Sequence, residues 1–436
     1  GGSDVADFVA SGTLPNGSPV ILKADGTVEV ITSTSINISQ SIPAGSVYTF
    51  NAGRSEGNSI SFDPNTSGKF VITYRETTSS YPTAIVGTVS GTTLSFGTEV
   101  VINSAISYYI SVAFDPNTAG KFVVAYADDA TSANGFGVIG TVSGTSITFG
   151  SRYAFHSAAT QQVSVAFDPN TAGSFVVAYN NDTAPTSGET VSGTVSGTVI
   201  TFGTAAAFVG TYIQAASVSF DPVVAGKFVV AYNEGSTKYG TAIIGTVSSN
   251  SVSYGTASIF NSSESLSVGC VFDSGGGKFI ASYSANPGLS YAHSGTCIVG
   301  TVTGTSISYG TAGVYNVGRT ESQAIASDPT EAGKFAVSYY DGGNGEKFTT
   351  VVGTVSGTSL SFTAEYIVQA NNWYNFGVAF DPFSRGKYIT VGRNEGNSQY
   401  GEAVVSQRLV STSTTTLTAT NFVGLTTEAI ADTATG

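Results

Sequence analysis

Short runs of alternating apolar and polar residues, separated by tight turns, recur along most of the chain. Examples are residues 111–114 and 122–126, which flank an Asp-Pro turn, residues 243–247, which end in Gly-Thr-Val, and residues 147–149, which follow the Ser-Gly-Thr turn at 143–145. This alternation, with Gly, Asp-Pro and Ser-Gly at the turns, is typical of half-buried antiparallel strands. The pattern predicts repeated sheets of four strands, which we name strands a to d.

An Asp ends strand a in every unit, as in Phe-Asp-Pro-Asn-Thr-Ala-Gly-Lys-Phe at residues 114–122. A period near 50 built from short strands is typical of propeller blades, because one such sheet cannot bury both of its faces. The sequence therefore predicts an all-β, seven-bladed β-propeller with four-stranded antiparallel blades. Seven similar copies favour a turn-capping role for the Asp over an active site, which needs one asymmetric cluster. The copies are Asp63, Asp115, Asp168, Asp221, Asp273, Asp328 and Asp381.

The seventh unit lacks its own strand d, because a Thr-rich run begins at Ser411. Residues 45–51 align in register with strand-d residues 97–103, so we expect an N-terminal strand to complete the last blade and close the ring. The propeller then spans residues 41–410. Residues 1–40 form an attachment segment with a hairpin of residues 19–22 and 27–31, and residues 411–436 form a linker or tail.

Composition narrows the range of partners and cofactors. The formal charge is −13 and the 16 Lys and Arg residues form no patch, which argues against nucleic acid. No apolar stretch is long enough for membrane insertion. Cys270 and Cys297 replace Val and Ala of sister repeats, which favours buried thiols over a disulfide. We expect no cofactor, although calcium could bind among the loop acids without a motif. The absence of Met leads us to expect a processed or partial product.

The inner strands carry no catalytic groups. The four residues before each repeat Asp contain no acid, base or histidine and alternate small with large side chains, as in residues 111–114. His156 and His293 lie in different loops of different repeats. No metal-binding spacing or nucleophile motif is present. We therefore expect a binding or structural module, not an enzyme.

Sequence variation is concentrated in the b–c turns and the d–a loops, which the alternation of strands places on one face of the ring, the variable rim. Aromatic rings beside amides and carboxylates suit a sugar ligand, with Trp373 as the expected anchor. The alternatives are an unconstrained solvated loop surface or an interface with another subunit. The candidate ligand-binding residues are Trp373, Tyr374, Asn371, Asn372, Tyr108, Tyr109, Tyr212, Tyr239, Tyr291 and Asp341.

The repeat Phe-Asp-Pro-Asn-Thr-Ala-Gly-Lys-Phe-Val-Val-Ala-Tyr with Gly-Thr-Val-Ser-Gly-Thr-Ser, the leader at residues 16–28 and the tail at 417–424 resemble repetitive proteins of marine bacteriophages, of the tail-fibre or virion-appendage type. This resemblance covers nearly the whole chain. It implies a virion or extracellular location and a module that binds a host-surface glycan or receptor. Other virion subunits, including further copies of this chain, are then possible partners. The alternatives are an architectural virion subunit, a secreted lectin or adhesin, and a polysaccharide-degrading enzyme.

Overall fold

The computed structural model describes residues 9–10, 19–22, 27–30, 44–286, 293–408 and 422–425. The chain divides into two compact units. One comprises residues 41–409, and the other comprises residues 1–40 together with 410–436. In the described ranges, no helix is long and apolar enough to cross a membrane.

Residues 44–286 and 293–408 form the predicted all-β propeller of seven antiparallel blades. Within a blade, strand b pairs with strands a and c, and strand c pairs with strand d. The seven a strands contact one another in sequence around the ring, and strand a of blade 7 contacts strand a of blade 1. The ring is therefore closed, and the predicted fold class is confirmed.

Three long strands each end one blade and begin the next. They are Ala44–Phe62 between blades 7 and 1, Ser258–Phe272 between blades 4 and 5, and Gly313–Ser327 between blades 5 and 6. The other strands of blades 1 to 3 are Lys69–Glu76, Tyr81–Ser90, Thr93–Phe96 and Val100–Val101; Ser107–Phe114, Lys121–Asp128, Asn134–Ser143 and Ser146–His156; and Thr160–Phe167, Ser174–Asn181, Ser187–Ser196, Val199–Phe202 and Ala206–Val209.

Blades 4 to 7 follow the same plan. Their remaining strands are Ile213–Phe220, Lys227–Glu234, Tyr239–Ser248 and Ser251–Tyr254; Lys278–Asn286, Ser294–Thr303 and Ser306–Tyr309; Lys334–Asp341, Lys347–Ser356, Ser359–Phe362 and Tyr366–Gln369; and Trp373–Phe380, Lys387–Asn394 and Tyr400–Gln407. Short 3-10 helices at Asp129–Thr131 and Gly342–Asn344 occupy b–c turns of blades 2 and 6.

The strand that closes the ring is the one predicted from the alignment of residues 45–51. Ala44–Phe62 pairs antiparallel with Tyr400–Gln407, with Tyr48 opposite Ala403. It then continues into blade 1 and pairs with Lys69–Glu76. One uninterrupted strand thus joins the last blade to the first, so the joint is held by backbone hydrogen bonds and by the chain itself.

The apolar core lies between neighbouring blades. One cluster joins Val71 and Val86 of blade 1 to Val112 and Phe122 of blade 2, and all four side chains are buried. Burying an aliphatic or aromatic side chain of this size stabilises a fold by about 1.5–3 kcal/mol. Since each blade buries its faces only against its neighbours, the ring is the smallest stable unit.

The Gly of the recurring Gly-Thr-Val sequence is required because the side chain of a phenylalanine lies across it. Gly245 in strand c pairs with Phe228 in strand b, and a Cβ on Gly245 would lie 2.2 Å from the Phe228 ring. The ring therefore packs against bare backbone. Equivalent close pairs, at 2.0–2.3 Å, are Gly87 with Phe70, Gly140 with Phe122, Gly193 with Phe175, Gly300 with Phe279 and Gly353 with Phe335.

The repeat Asp has two partners, one within its blade and one in the next. One oxygen of Asp168 accepts from the amide of Asn170 at 2.9 Å, which shapes the a–b turn. The other accepts from the amide of Gly226 in blade 4 at 2.7 Å. The same bond to the next blade recurs, with the Gly amide donating to the Asp carboxylate, in the pairs Gly120 and Asp63, Gly277 and Asp221, Gly333 and Asp273, and Gly386 and Asp328.

Serine hydroxyls tie the inner strands together at the axis. The hydroxyl of Ser59 accepts from the amide of Val112, and that of Ser111 accepts from the amide of Val165. Lysines at the start of strand b also join neighbouring blades, since Lys121 Nζ donates to the carbonyl of Gly197 in the next blade at 2.5 Å. The small residues of strand a thus also satisfy backbone groups of the neighbouring blade.

The smaller unit contains a four-stranded sheet. Pro19–Leu22 pairs antiparallel with Thr27–Val30, and the Asp25-Gly26 turn expected between them lies outside the described residues. Val9–Ala10 runs parallel to Thr27–Val30. Phe422–Leu425 pairs with Pro19–Leu22, so residues from both ends of the chain share one sheet. This shared sheet was not predicted from the sequence, which indicated two separate segments.

Blades 6 and 7 are joined by an ion-pair network between their a–b turns and Arg408, which follows strand c of blade 7. Glu331 Oε2 lies 2.8 Å from Arg385 Nε and also accepts from the guanidinium of Arg408. The hydrogen bond from Arg385 holds the pKa of Glu331 below its ordinary value of 4.5. A carboxylate with a lowered pKa stabilises the folded state fully above its unfolded-state pKa, and this contribution is lost as the pH falls through the folded-state pKa.

We expect Gly245→Ala to lower the free energy of unfolding by about 1–3 kcal/mol, because the new methyl group overlaps the Phe228 ring. Gly210→Ala is the matched control, since a Cβ there meets nothing within 4 Å and its φ is not in the left-handed range. The control should change stability by no more than about 0.5 kcal/mol. Urea and thermal unfolding of the two variants measure the difference, and equal effects would contradict the packing argument.

We expect Glu331→Gln to lower the free energy of unfolding by about 1–2 kcal/mol near pH 7, through the lost ion pairs. The difference from the parent should shrink as the pH falls below 4.5, because the parent then protonates Glu331 as well. Thermal unfolding between pH 7 and acid pH measures this, with Glu234→Gln in the b–c turn of blade 4 as the control. A difference that does not change with pH would argue against the ion pairs.

Candidate functional site

Every a strand contains a β-bulge near its beginning, on the variable rim. In blade 2 the register with strand b shifts between Tyr108 and Ser111, so that the a strand carries one extra residue. The same shift occurs in the other blades, and in blade 4 it falls between Ile213 and Ala215. Bulges of this kind change the direction of a side chain and are frequent beside binding sites.

Six of these bulges contain a residue with positive φ. The φ values lie between 48° and 61°, a range that is costly for residues other than Gly. The positions are six residues before the repeat Asp: Gly57, Tyr109, Gln162, Ser267, Ser322 and Asn375. Five of the six line two cavities at the mouth of the ring on the variable rim. The strained backbone thus coincides with the concave part of this surface.

The larger cavity, of about 530 Å³, lies where blades 7, 1 and 2 meet. Its wall contains Arg54, Arg75 and Arg393, the carboxylate of Glu56, and the rings of Tyr108 and Tyr109. The Arg75 guanidinium lies 4.7 Å from the centre of the Tyr108 ring, which is the geometry of a cation–π contact. We call this cavity the arginine pocket.

A smaller cavity, of about 340 Å³, lies beside blades 5 and 6. It is lined by Ser267, His293, Glu321 and Tyr374, among others. The Tyr374 ring stacks on Tyr340 with 4.7 Å between centroids, and Arg393 of the arginine pocket lies 5.9 Å from the Tyr374 ring centre. Tyr374 therefore stands between the two cavities.

Trp373, the expected anchor, is not on the surface. Its side chain is fully buried and stacks on Phe348, with 4.8 Å between ring centroids. The reason lies in strand b of blade 7, where Gly392 replaces the Tyr found in the other blades. A Cβ on Gly392 would lie 3.0 Å from the Trp373 indole, so the indole fills the space that the missing Tyr leaves. An exposed role for Trp373 is wrong in this structure.

Asp341 is also buried, with 1% of its surface exposed, and its oxygen accepts from the Gly343 amide and the Asn316 side chain. It shapes the b–c turn of blade 6. Because its side chain is buried, the prediction that Asp341 contacts a ligand is wrong. Asn371 is exposed in the d–a loop, and Asn372 donates to Glu346 at 2.8 Å. Neither amide lines the two cavities.

Among the tyrosines predicted from the sequence, Tyr108 and Tyr109 lie together in the arginine pocket, with 38% and 39% of their surfaces exposed. Tyr212 is partly buried in blade 4, and its hydroxyl lies 3.4 Å from Gln161. Tyr239 is partly buried at the start of strand c of blade 4, and Tyr291 lies outside the described residues. The nine predicted positions that the structure describes therefore do not form one site.

Arg75 and Arg393 were not among the predicted site residues, because they lie inside strand b, away from the residues just before the repeat Asp and from the loops. Arg75 and Arg393 occupy the fifth position after the aromatic residue that begins strand b, at Phe70 and Tyr388. No other blade has an arginine at this position, where the residues are Ala127, Asn180, Asn233, Ser284 and Tyr340. Variation inside an otherwise constant strand was the available signal.

Several groups are unsuited to metal or redox chemistry. Among the described residues, no three His, Cys, Asp or Glu side chains are placed to hold a metal ion. Cys270 and Cys297 are buried free thiols, and burial raises the pKa of Cys270 to about 11. Guanidinium groups keep their proton at physiological pH, so the arginine pocket offers fixed positive charge and hydrogen-bond donors.

Comparisons with known proteins reveal the fold only. No protein-family model and no curated protein sequence matches the chain. Two crystal structures of Sqt1 from Chaetomium thermophilum are similar in structure. The one bound to the N-terminus of the ribosomal protein L10 has a TM-score of 0.51 at 9% identity and covers 85% of this chain and 100% of its own. The other has a TM-score of 0.50 at 9% identity and covers 80% and 83%.

These matches correct the function predicted from the phage resemblance. The matching propellers are Sqt1 proteins, one of which holds the end of a ribosomal protein, and they are not virion appendages. These findings contradict the expected tail-fibre type and the expected virion or extracellular location. They also contradict the expected partners, a host-surface glycan or receptor and other virion subunits. The alternatives of a virion subunit, a lectin or adhesin and a polysaccharide-degrading enzyme are withdrawn with them. What remains of the resemblance is the propeller itself.

The positive φ of the bulge residues leads to a prediction about stability that does not depend on a ligand. We expect Gln162→Gly to leave stability unchanged or to raise it by up to about 1 kcal/mol, because Gly adopts a φ of 53° without strain. Gln162→Val should lower stability by at least about 1 kcal/mol, because a β-branched residue is strained there. Urea unfolding measures both, and a more stable Val variant would contradict the bulge geometry.

Proposed function

We propose that this chain is a non-enzymatic binding protein whose propeller holds a polypeptide segment of a partner protein at the mouth of the ring. The observation that carries the proposal is the concave mouth itself. There, bulge residues with positive φ, the exposed tyrosines of blade 2 and the arginines at the joint of blades 7 and 1 border the arginine pocket. Aromatic and arginine side chains are the residue types that dominate protein-binding hot spots.

The chemistry of the mouth suits an extended peptide. A peptide backbone needs both donors and acceptors, and Asn375, Tyr108 and Tyr109 offer both beside the donors of the arginines. The Sqt1 propeller bound to the N-terminus of the ribosomal protein L10 is a precedent for a propeller of this size that holds a chain end. The closed ring of backbone-paired strands would keep the mouth rigid, which lowers the entropic cost of binding.

Selection from a displayed library of random peptides tests the proposal. The purified full chain should enrich peptides, and the double variant Tyr108→Ala with Tyr109→Ala should bind them at least about tenfold more weakly, as expected for lost hot-spot residues. The matched control is Val223→Ser with Val224→Ser. These valines are also exposed, at 63% and 41%, but lie in an a–b turn on the opposite rim.

Unfolding midpoints establish that each variant is folded. Enrichment by the parent and the control, with loss only in the tyrosine variant, is the expected result. If no peptide is enriched, or if the valine variant loses binding as much as the tyrosine variant, a peptide site at the mouth is ruled out.

A further inference from the structure

Three guanidinium groups in the arginine pocket converge on a single carboxylate. Glu56 Oε1 lies 2.5 Å from Arg54 Nη2 and 3.0 Å from Arg393 Nη1, and Glu56 Oε2 accepts from Arg75. Glu56 and Arg75 pair with each other in blade 1, whereas Arg54 pairs with Tyr400 of blade 7 and Arg393 belongs to strand b of blade 7. The cluster therefore spans the joint at which the ring closes.

Positive charge exceeds negative charge at this point of an otherwise acidic chain. The pocket wall carries three arginines and one glutamate, while the whole chain has a formal charge of −13. Glu395 lies 2.6 Å from Arg393 and neutralises part of the excess from outside the wall. Even with Glu395 included, three positive groups face two negative ones, so the pocket attracts anions.

The donors of the pocket also outnumber the acceptors. Each guanidinium has five N–H donors, and two oxygens of Glu56 serve three of these groups. The side chain of Arg54 is 46% exposed, whereas that of Glu56 is 18% exposed. Arg54 is thus the guanidinium with the most capacity for a further acceptor.

We propose that the arginine pocket recognises the carboxylate side chains of an acidic peptide segment, and that Glu56 occupies the position that a bound carboxylate takes. This inference rests on the proposed function, because it names the chemistry of the polypeptide that the mouth binds. Carboxylates fit guanidinium groups through paired, charge-assisted hydrogen bonds. The rings of Tyr108 and Tyr109 form the apolar side of the pocket, against which the carbon chain of a glutamate packs.

The proposal requires opposite effects from two neighbouring substitutions. Glu56→Gln removes the internal competitor, frees the three guanidinium groups and raises the net charge of the pocket by one. Arg54→Gln removes an exposed donor and lowers the charge by one. A structural disturbance of the mouth would weaken binding in both variants, so the opposite signs separate recognition from loss of structure.

Binding of a fluorescein-labelled hexaglutamate peptide to the full chain provides the measurement, with hexaglutamine and hexalysine peptides as comparisons. We expect hexaglutamate to bind at least tenfold more tightly than either comparison. We expect Arg54→Gln to weaken it and Glu56→Gln to tighten it, each by about fivefold to tenfold, as for charge-assisted contacts. Raising the salt concentration should weaken binding, because the contacts are partly exposed.

Arg385→Gln is the control, since Arg385 is a similarly exposed arginine, paired with Glu331 and located on the opposite rim. It should leave hexaglutamate binding unchanged. Equal affinity for hexaglutamate and hexaglutamine, or weaker binding in Glu56→Gln, would overturn the carboxylate assignment. Library peptides that bind at the mouth without acidic residues would overturn it as well, while leaving the proposed peptide-binding function in place.

Discussion

The pairing of the N-terminal strand with strand c of blade 7 is the interaction on which the rest of the structure depends. Each blade buries its apolar faces only against its neighbours, so an open array would leave two faces and two strand edges in water. Ala44–Phe62 removes both by completing blade 7 and continuing into blade 1. The stability of the whole ring therefore depends on this joint, because opening it would expose the apolar faces of blades 7 and 1 to water.

The arginine pocket lies at the same joint. Arg54 stands within the closing strand, opposite Tyr400 of blade 7, and Arg393 reaches the shared glutamate from blade 7. The pocket thus exists only when the ring is closed, and a ligand held there would bridge the first and last blades. Binding and closure are thermodynamically linked in such an arrangement, since a ligand that binds only the closed ring stabilises it by mass action.

The two rims of the ring differ in what their sequences must satisfy. On one rim the a–b turns repeat because they make fixed hydrogen bonds between blades. The Asp carboxylate accepts from a Gly amide of the next blade, and the Lys ammonium donates to a carbonyl of the next blade. On the variable rim the bulge position makes no such recurring bond to the next blade, and its side chain varies from Gly57 to Tyr109, Gln162, Ser267, Ser322 and Asn375. A scaffold that is constant on one face and free on the other can change its binding groups without losing its core.

The number of blades, their strand order and the closing strand followed from the sequence, because the Asp period and the two-residue alternation are local properties that repeat along the chain. The positions of individual binding groups did not. Trp373 was expected to anchor a ligand because it is the single tryptophan and follows two asparagines, yet its indole is buried and packs where Gly392 leaves space in the neighbouring strand. Arg54 is two residues from Glu56 and Arg75 lies opposite it in the next strand, whereas Arg393 is 337 residues away and reaches Glu56 only because the ring closes. Repetition determined the architecture, whereas contacts between the first and last blades decided where charge collects, because that depends on distances no local pattern encodes.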